Sequence, residues 1–317
     1  MAKVSLIIPT FNRPHLLPRA VESAHGAGEG VEVIVVDDGS VDETARVCRT
    51  LPGIRYVRLD RNQGVAGARN VGLLESTGDY VAFLDDDDLR LPDSLARQVA
   101  LLESAPEAGL VASAVLLADE NCVPNGEVAA PRAKSGDVFW QVLELNLFLL
   151  PDSVLVRKSC FFEVGLFNRR LAGIDDWDMW ARIAELRPFV IDERPVSIYR
   201  SPSPTSGQGS SHLARHLHAA FKHQARLLKL PRAQAAPEQR RRAVRAGLRR
   251  RVSDTLSWRA AEQLPRGHVH FATSNFLTAL RISPLWAARP THLRVFWKNS
   301  AAQLRRWRGR PEAPDAG

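Results

Sequence analysis

Apolar and polar residues fall into blocks along the first part of the chain, and the blocks switch period in a regular order. Residues 4–8, 31–36, 54–59, 80–84 and 110–117 are short apolar runs, rich in Val, Ile, Leu and aromatic residues, and these predict strands. Between them, residues 14–24, 41–48, 65–75 and 93–103 carry apolar positions at helical spacing. Pro14 would open the first helix in its first turn, and Ser40 with Glu43 three residues on predicts a capping box for the second. Asp93 falls at the N-cap of the fourth. Strands alternating with helices at this spacing predict an α/β fold, a mostly parallel sheet joined by right-handed crossovers. The near-continuous apolar character of the first strands predicts helices on both faces.

The texture changes after residue 117. Residues 118–137 are polar and proline-bearing, and Asn125-Gly126 predicts a hairpin turn or a flexible loop. Apolar patterning returns with a helix over 138–145, a strand over 153–156, a short helix from Ser159, a longer one over 176–185 and an extended stretch over 195–199. Residues 201–211 form a Pro/Gly/Ser linker or mobile loop. Beyond it lie Ala/Leu/Arg-rich helical segments near 212–230, 237–262, 268–282 and 290–306, then a disordered end from 309. The division this predicts is an α/β domain over 1–205 and a helical region over 206–317.

Charge sharpens that division. Residues 1–200 hold 21 Lys+Arg against 30 Asp+Glu, a balance of −9, whereas residues 201–317 hold 22 against 5, a balance of +17; together they give the net +8. Three cysteines at wide spacing, with no CxxC, argue against a disulfide framework or a zinc site and fit a reducing compartment. Pro9 cuts the first apolar run far short of a signal-peptide core, and no stretch reaches membrane-spanning length. The expectation is a cytoplasmic protein, able to sit at the inner face of the membrane through its basic region.

The candidate chemistry gathers where the first four strands end. The first ends in Pro9-Thr10-Phe11-Asn12-Arg13 and the second in Asp37-Asp38-Gly39-Ser40. The third is followed by Asn62 to Asn70, with Gly64, Gly67 and Arg69, and the fourth by Asp85 to Asp88. In a parallel sheet these four clusters converge on one edge, where open α/β folds bind ligands. Four adjacent carboxylates repel one another, and oxygen-only donors suit a hard ion, Mn²⁺ or Mg²⁺. An isolated acidic run would favour a solvated turn capping the next helix, with Asp93 as its N-cap; the other clusters reverse that preference. An aromatic ring, a carboxylate beside Gly-Ser, glycines opening a helix and an acidic cluster together suit a sugar nucleotide. A second acidic group, Asp175-Asp176-Trp177-Asp178, heads a helix with an apolar stripe at Met179, Trp180, Ile183 and Ala184.

Five stretches in this order resemble glycosyltransferase family 2, the inverting GT-A enzymes: SLIIPTFNRPHLL (5–17), VIVVDDGSVDET (33–44), NQGVAGARNVGL (62–73), GDYVAFLDDDDLRLPDSL (78–95) and GIDDWDMWARIAE (173–185). They span most of residues 3–200. The resemblance implies a GT-A fold and a metal-dependent transfer of sugar from a nucleotide-sugar, a UDP-sugar first, to an acceptor hydroxyl in cell-surface polysaccharide or glycolipid synthesis. It implies that Pro9, Thr10, Phe11 and Asn12 line the nucleotide pocket, that Asp38 contacts the base and that Arg69 lies in the donor site. Asp85, Asp86 and Asp87 become the DXD region, with Asp85 and Asp86 toward the nucleotide and Asp87 the metal ligand. Asp176 becomes the catalytic base, in an Asp-Asp pair where the family more often has Glu-Asp. Arg200 or a nearby histidine would lie close to the diphosphate. Two rivals are transfer to a polyprenyl phosphate and a non-catalytic binding module with a basic tail.

Three roles are to be weighed for the basic region. Arg240 to Arg242 and Arg249 to Arg251 on helical sequence, with Trp286, Trp297 and Trp307 further on, suit an anionic membrane surface carrying a lipid-linked acceptor. They also suit a helical subdomain packed on the body or on a second copy in a homodimer. The acidic body and the absence of a nucleic-acid module argue against nucleic acid. His212, His216 and His218 have no neighbouring Cys or Asp to complete a metal site.

Overall fold

Strands β1 (Val4–Thr10), β2 (Glu32–Asp37), β3 (Ile54–Arg58) and β4 (Tyr80–Phe83) lie side by side in the order β3-β2-β1-β4, all parallel. The register pairs Thr10 with Asp37 and Ile7 with Phe83, so the ends of β1, β2 and β4 share one edge. Every residue of β1 and β4 is buried, because helices cover both faces. This computed structural model describes residues 4–200, 213–264 and 267–284; the chain divides into two compact units, residues 1–235 and 236–317. The sequence segments read as a linker at 201–211, a helix at 290–306 and an end from 309, together with His212, lie outside the described residues, as do the side chains of His216 and His218.

The helices of this parallel half are α1 (Leu17–His25), α2 (Thr44–Thr50), α3 (Val65–Glu75) and α4 (Ser94–Glu103). Gly72 lets α3 lie against β1: a Cβ there would come 2.4 Å from Ile7 Cγ2. Two expected caps are not made. Helix α2 begins at Thr44 rather than 41, and Ser40 is committed elsewhere: its N–H donates to Asp37 Oδ1 at 2.8 Å, and its hydroxyl accepts the Asn12 N–H at 2.9 Å. Asp93 does precede α4, but with a left-handed backbone (φ 53°) and no side-chain cap.

The second half of the sheet is mixed. Strand β6 (Leu110–Ala118) does not continue the parallel array; β8 (Val154–Arg157) inserts antiparallel between β4 and β6. Strand β9 (Phe189–Arg200) runs parallel to β6, and the two-residue β5 (Leu89–Arg90), directly after the acidic run, pairs antiparallel with its end, Leu89 opposite Ile198. β7 (Pro124–Ala129) folds back on β6, but the reversal is at 119–123, not at Asn125-Gly126. The Asp119 carboxylate accepts the N–H groups of Asn121 and Val123, both at 2.9 Å, which closes that turn. Asn125-Gly126 lies inside β7 beside a register shift.

Helices α5 (Phe139–Leu143), α6 (Lys158–Val164), α7 (Asp175–Leu186), α8 (Leu213–Leu227) and α9 (Pro231–Ala235) complete the first unit. The apolar stripe of α7 is buried as patterned, with Met179, Trp180 and Ile183 at 0–1% exposure. Trp180 meets Phe167 edge-on at 6.1 Å, and Phe167 meets Phe83 at 5.3 Å. That aromatic chain seats α7 beneath β4. In the second unit, α10 (Glu238–Gln263) and α11 (Val269–Ile282) pack together, with Ser253 donating to the Ala279 carbonyl. Among the described residues, no helix is long and apolar enough to cross a membrane.

Candidate active site

The edge where β1, β2 and β4 end gathers the polar residues named from sequence. Asp38 is buried there; its N–H donates to the Thr10 carbonyl at 2.9 Å, and its Oδ1 accepts the Gln63 N–H at 2.7 Å. Burial raises the Asp38 carboxyl, and the Gln63 and Gly64 N–H groups pull it back. Asn12 takes a left-handed backbone (φ 52°), and its side-chain oxygen accepts the Val41 N–H at 3.0 Å, tying the β1 loop to the β2 loop. Pro9 stays within β1 opposite Val36, whereas the Phe11 ring is 39% exposed.

The acidic run splits into two arrangements. Asp86 turns to the β1 loop: Thr10 Oγ1 donates to it at 2.7 Å and Arg13 Nη1 at 2.9 Å. Burial pushes its carboxyl up to about 6, aided by the charge of Asp87 and opposed by Arg13 and Thr10. Asp85, Asp87 and Asp88 instead each bring a carboxylate oxygen within 4.8 Å of the others. Burial and the charges of Asp152, Asp87 and Asp85 raise Asp88 well above the ordinary carboxylate range. A crowded trio of hard oxygen donors, Asp87 and Asp88 buried and Asp85 part-exposed, fits a divalent cation such as Mg²⁺ or Mn²⁺.

Arginines supply positive charge around the run. Arg200 Nη2 donates to Asp87 Oδ2 at 2.6 Å, and its backbone N–H to Asp88 Oδ1 at 2.7 Å. The β5–β9 pairing makes this contact, because it returns the end of β9 to the residues just before β5. Arg13 Nη1 also reaches Asp87 Oδ2 at 3.2 Å. Beneath the run, Asp152 accepts the Ser197 hydroxyl at 2.7 Å, while Arg90 donates to the Asp152 carbonyl and to Gln98.

Arg69 joins the run to the head of α7. It is buried on α3 and donates to Asp85 Oδ1 at 2.8 Å and to Asp175 Oδ2 at 3.1 Å. Asp176 follows, half-buried, with Oδ1 accepting the Trp177 N–H at 2.7 Å. Burial first, and Asp175 second, push the Asp176 carboxyl up to about 6, against the pull of Arg69. A carboxylate tuned toward neutrality suits proton transfer near pH 7. Asp178 is turned away from this work; Arg182 and His223 hold it at 2.7 and 3.0 Å.

Of the residues singled out by sequence, Thr10, Asn12, Asp38, Arg69 and Asp85 to Asp87 meet on one edge, and Arg69 links that edge to the Asp175–Asp176 head. Arg13, Asp175 and Asp152 are site residues to which sequence reasoning gave no role of their own, and Asp88 was one of four carboxylates offered to a cation without being singled out. Arg13 stood in the first strand-end cluster and Asp88 in the acidic run, so both were in view; Asp152, in a short 3₁₀ turn at Pro151–Ser153, carried no signal.

Comparison with known proteins adds three findings. The family model described as Glycosyl transferase family 2 matches residues 5–121. The GalNAc(5)-diNAcBac-PP-undecaprenol beta-1,3-glucosyltransferase of Campylobacter jejuni is 31% identical over 222 residues, 65% of this chain and 68% of that protein. The chain also spans about a third of the length of uncharacterized glycosyltransferases from Rickettsia species that it matches, 36% of those from Rickettsia felis and Rickettsia conorii. Among solved structures, S. aureus TarS 1-349 in complex with UDP-GlcNAc superposes with a TM-score of 0.61 at 17% identity, covering 96% of this chain and 91% of that one. Mannosyltransferase PcManGT from Pyrobaculum calidifontis, in complex with GDP-Man and Mn²⁺, gives 0.57 at 20% identity, covering 96% and 82%. At those identities the likeness is one of fold, and the fold is GT-A.

Proposed function

The chain belongs to glycosyltransferase family 2, and from that membership we propose that it transfers a sugar from a nucleotide-sugar, a UDP-sugar first, to an acceptor hydroxyl with inversion at the anomeric carbon. The observation that carries this reading is the Arg69 bridge from Asp85 to Asp175, which fixes an acidic pocket fit for a cation next to the α7 head, where the neighbouring half-buried Asp176 is fit for a proton. The exposed Phe11 ring packs on the base, Asp38 contacts the base, and Thr10, Asn12 and Pro9 shape the pocket floor. Arg69, Asp85 and Asp86 line the donor side, and Asp87 heads the ligand set, with Asp85 and Asp88 beside it. Mn²⁺ or Mg²⁺ held there would neutralise the charge that grows on the departing diphosphate. Asp176 takes the hydroxyl proton as the acceptor oxygen attacks the anomeric carbon from the face opposite the nucleotide. The anomeric carbon–oxygen bond breaks toward the diphosphate, which keeps the electron pair, and no covalent intermediate forms.

The acceptor we assign is a saccharide carried on a lipid, in the synthesis of a cell-surface polysaccharide or glycolipid; the Campylobacter relative's name supports that class. The second unit supports a membrane-surface location on the cytoplasmic side. Helix α10 exposes Arg242, Arg245 and Arg249 to Arg251, Trp258 is 61% exposed, and α11 exposes Val269, Phe271 and Leu277. Guanidinium groups beside exposed apolar and aromatic side chains suit anionic headgroups. Vesicles containing phosphatidylglycerol should co-sediment the protein at low salt and release it at high salt; equal binding to neutral vesicles would contradict this.

The transfer reading is tested by incubating the protein with Mn²⁺ and a panel of UDP-, GDP- and dTDP-sugars, and following nucleotide release and the anomeric proton of the product by NMR. Release from one donor, with inverted configuration in the product, is the expected result. Retained configuration would overturn the mechanism, and no nucleotide release from any donor with undecaprenyl-linked saccharides present would overturn the activity.

A further inference from the structure

Asp87 receives two guanidinium groups on one oxygen. Arg200 Nη2 lies 2.6 Å from Asp87 Oδ2, and Arg13 Nη1 lies 3.2 Å from the same atom. The two arginines come from distant parts of the first unit, the loop after β1 and the last residue of β9, so their convergence is built by the fold and not by local sequence. Asp87 and Arg200 are buried, at 5% and 7% exposure, and the pair is shielded from the solvent that weakens surface ion pairs. The oxygen they occupy belongs to a member of the trio Asp85, Asp87 and Asp88 that fits a cation.

A cation that takes Asp87 Oδ2 competes with both guanidinium groups for it, and weakening a buried ion pair is costly unless another anion takes the place of the carboxylate. A diphosphate is the counter-charge that guanidinium forks match best.

We propose that Arg13 and Arg200 are resident counter-ions of the acidic pocket, which hold Asp87 until cation and nucleotide diphosphate arrive as a coupled pair and then turn to the phosphates. The proposal rests on the donor-site reading above. It makes the two arginines positioning residues for the donor, and the cation weak in the absence of nucleotide. By reciprocity, the factor by which nucleotide tightens the cation equals the factor by which the cation tightens nucleotide.

The test is a Mn²⁺ titration followed by the free-ion signal in electron paramagnetic resonance. It is run with and without UDP, GDP or dTDP, whichever binds the wild type, on wild type, Arg200→Gln, Arg200→Lys and Arg13→Gln. In the wild type, nucleotide should tighten Mn²⁺ by a factor within the usual coupling range of about 5- to 150-fold. Arg200→Gln should bind Mn²⁺ alone more tightly than wild type while most of the nucleotide-dependent gain is lost; Arg200→Lys should keep part of that gain. Arg13, with a partly exposed side chain, provides the same comparison if Arg200→Gln does not fold. Weaker Mn²⁺ binding in both Gln variants with an unchanged coupling factor would mean a merely structural role and overturn the proposal. Absence of any Mn²⁺ or nucleotide binding in the wild type would instead remove the donor site, and this proposal with it.

Discussion

Two acidic groups in the first unit, Asp85 to Asp88 after β4 and Asp175-Asp176 at the head of α7, have the same side chains and opposite surroundings. The first is threaded with guanidinium groups: Arg69 on Asp85, Arg13 on Asp86 and Asp87, and Arg200 on Asp87. In the second, Arg69 engages Asp175, while Asp176 accepts only a backbone N–H among its hydrogen bonds described above, and its carboxyl is pushed up to about 6. Burial raises carboxyls in both groups, so what separates them is what surrounds each. Asp85, Asp87 and Asp88 converge on one point among guanidinium groups, which suits a cation, whereas Asp176 stands outside that convergence with its carboxyl poised at about 6, which suits a proton. Placement by the fold, rather than residue type, separates the two roles.

The sharpest way to break that contrast is Asp176→Asn. Turnover should fall by about 10²- to 10⁴-fold, the usual worth of a positioned general base, while Mn²⁺-dependent nucleotide affinity stays near wild type. Measured together, nucleotide release and calorimetric affinity separate the two effects; a parallel loss of both would erase the distinction between the groups.

Arg69→Met attacks the link. It leaves the buried Asp175 and the part-exposed Asp85 without their shared partner, and loss of one side of a buried ion pair, here Arg69–Asp175, typically costs about 3–5 kcal/mol. Thermal unfolding should register this as a clear drop in Tm. An unchanged Tm would mean that the bridge contributes nothing to the fold.

A smaller and more diagnostic effect is expected from pH. As a base Asp176 must be ionised, so turnover should decline as pH falls through about 6. The sign for stability is opposite. Its folded value lies above the unfolded one, so the native state binds more protons in between, and this group favours folding more as pH falls through about 6. Asp176→Asn should therefore raise Tm at pH 7.5 relative to wild type, and lose that advantage near pH 4.

Much of the acidic edge was legible because each cluster directly follows its own strand. Val4–Thr10, Glu32–Asp37 and Tyr80–Phe83 pair in parallel, and so the ends of their sequences become one edge in space. The second half of the sheet was not legible in the same way. That β8 would insert beside β4, and that two residues after Asp88 would pair with Ile198 and Ser197, depend on contacts between segments far apart in sequence. The Arg200–Asp87 pair is a product of that pairing. Local chemistry also misled where a side chain had two uses. Ser40 looks like a helix cap, but its hydroxyl serves Asn12. Asn125-Gly126 looks like the hairpin turn, but Asp119 closes the chain a few residues earlier, with Cys122 in a left-handed conformation (φ 61°).

The most direct test of the account is calorimetric titration of UDP, GDP and dTDP, with and without Mn²⁺, on wild type, Asp87→Asn and Asp176→Asn. Mn²⁺-dependent binding of one nucleotide is expected for the wild type, retained in Asp176→Asn and weakened by about 10- to 100-fold in Asp87→Asn, the scale of a disturbed metal site. Nucleotide binding that ignores both Mn²⁺ and Asp87 would contradict that expectation.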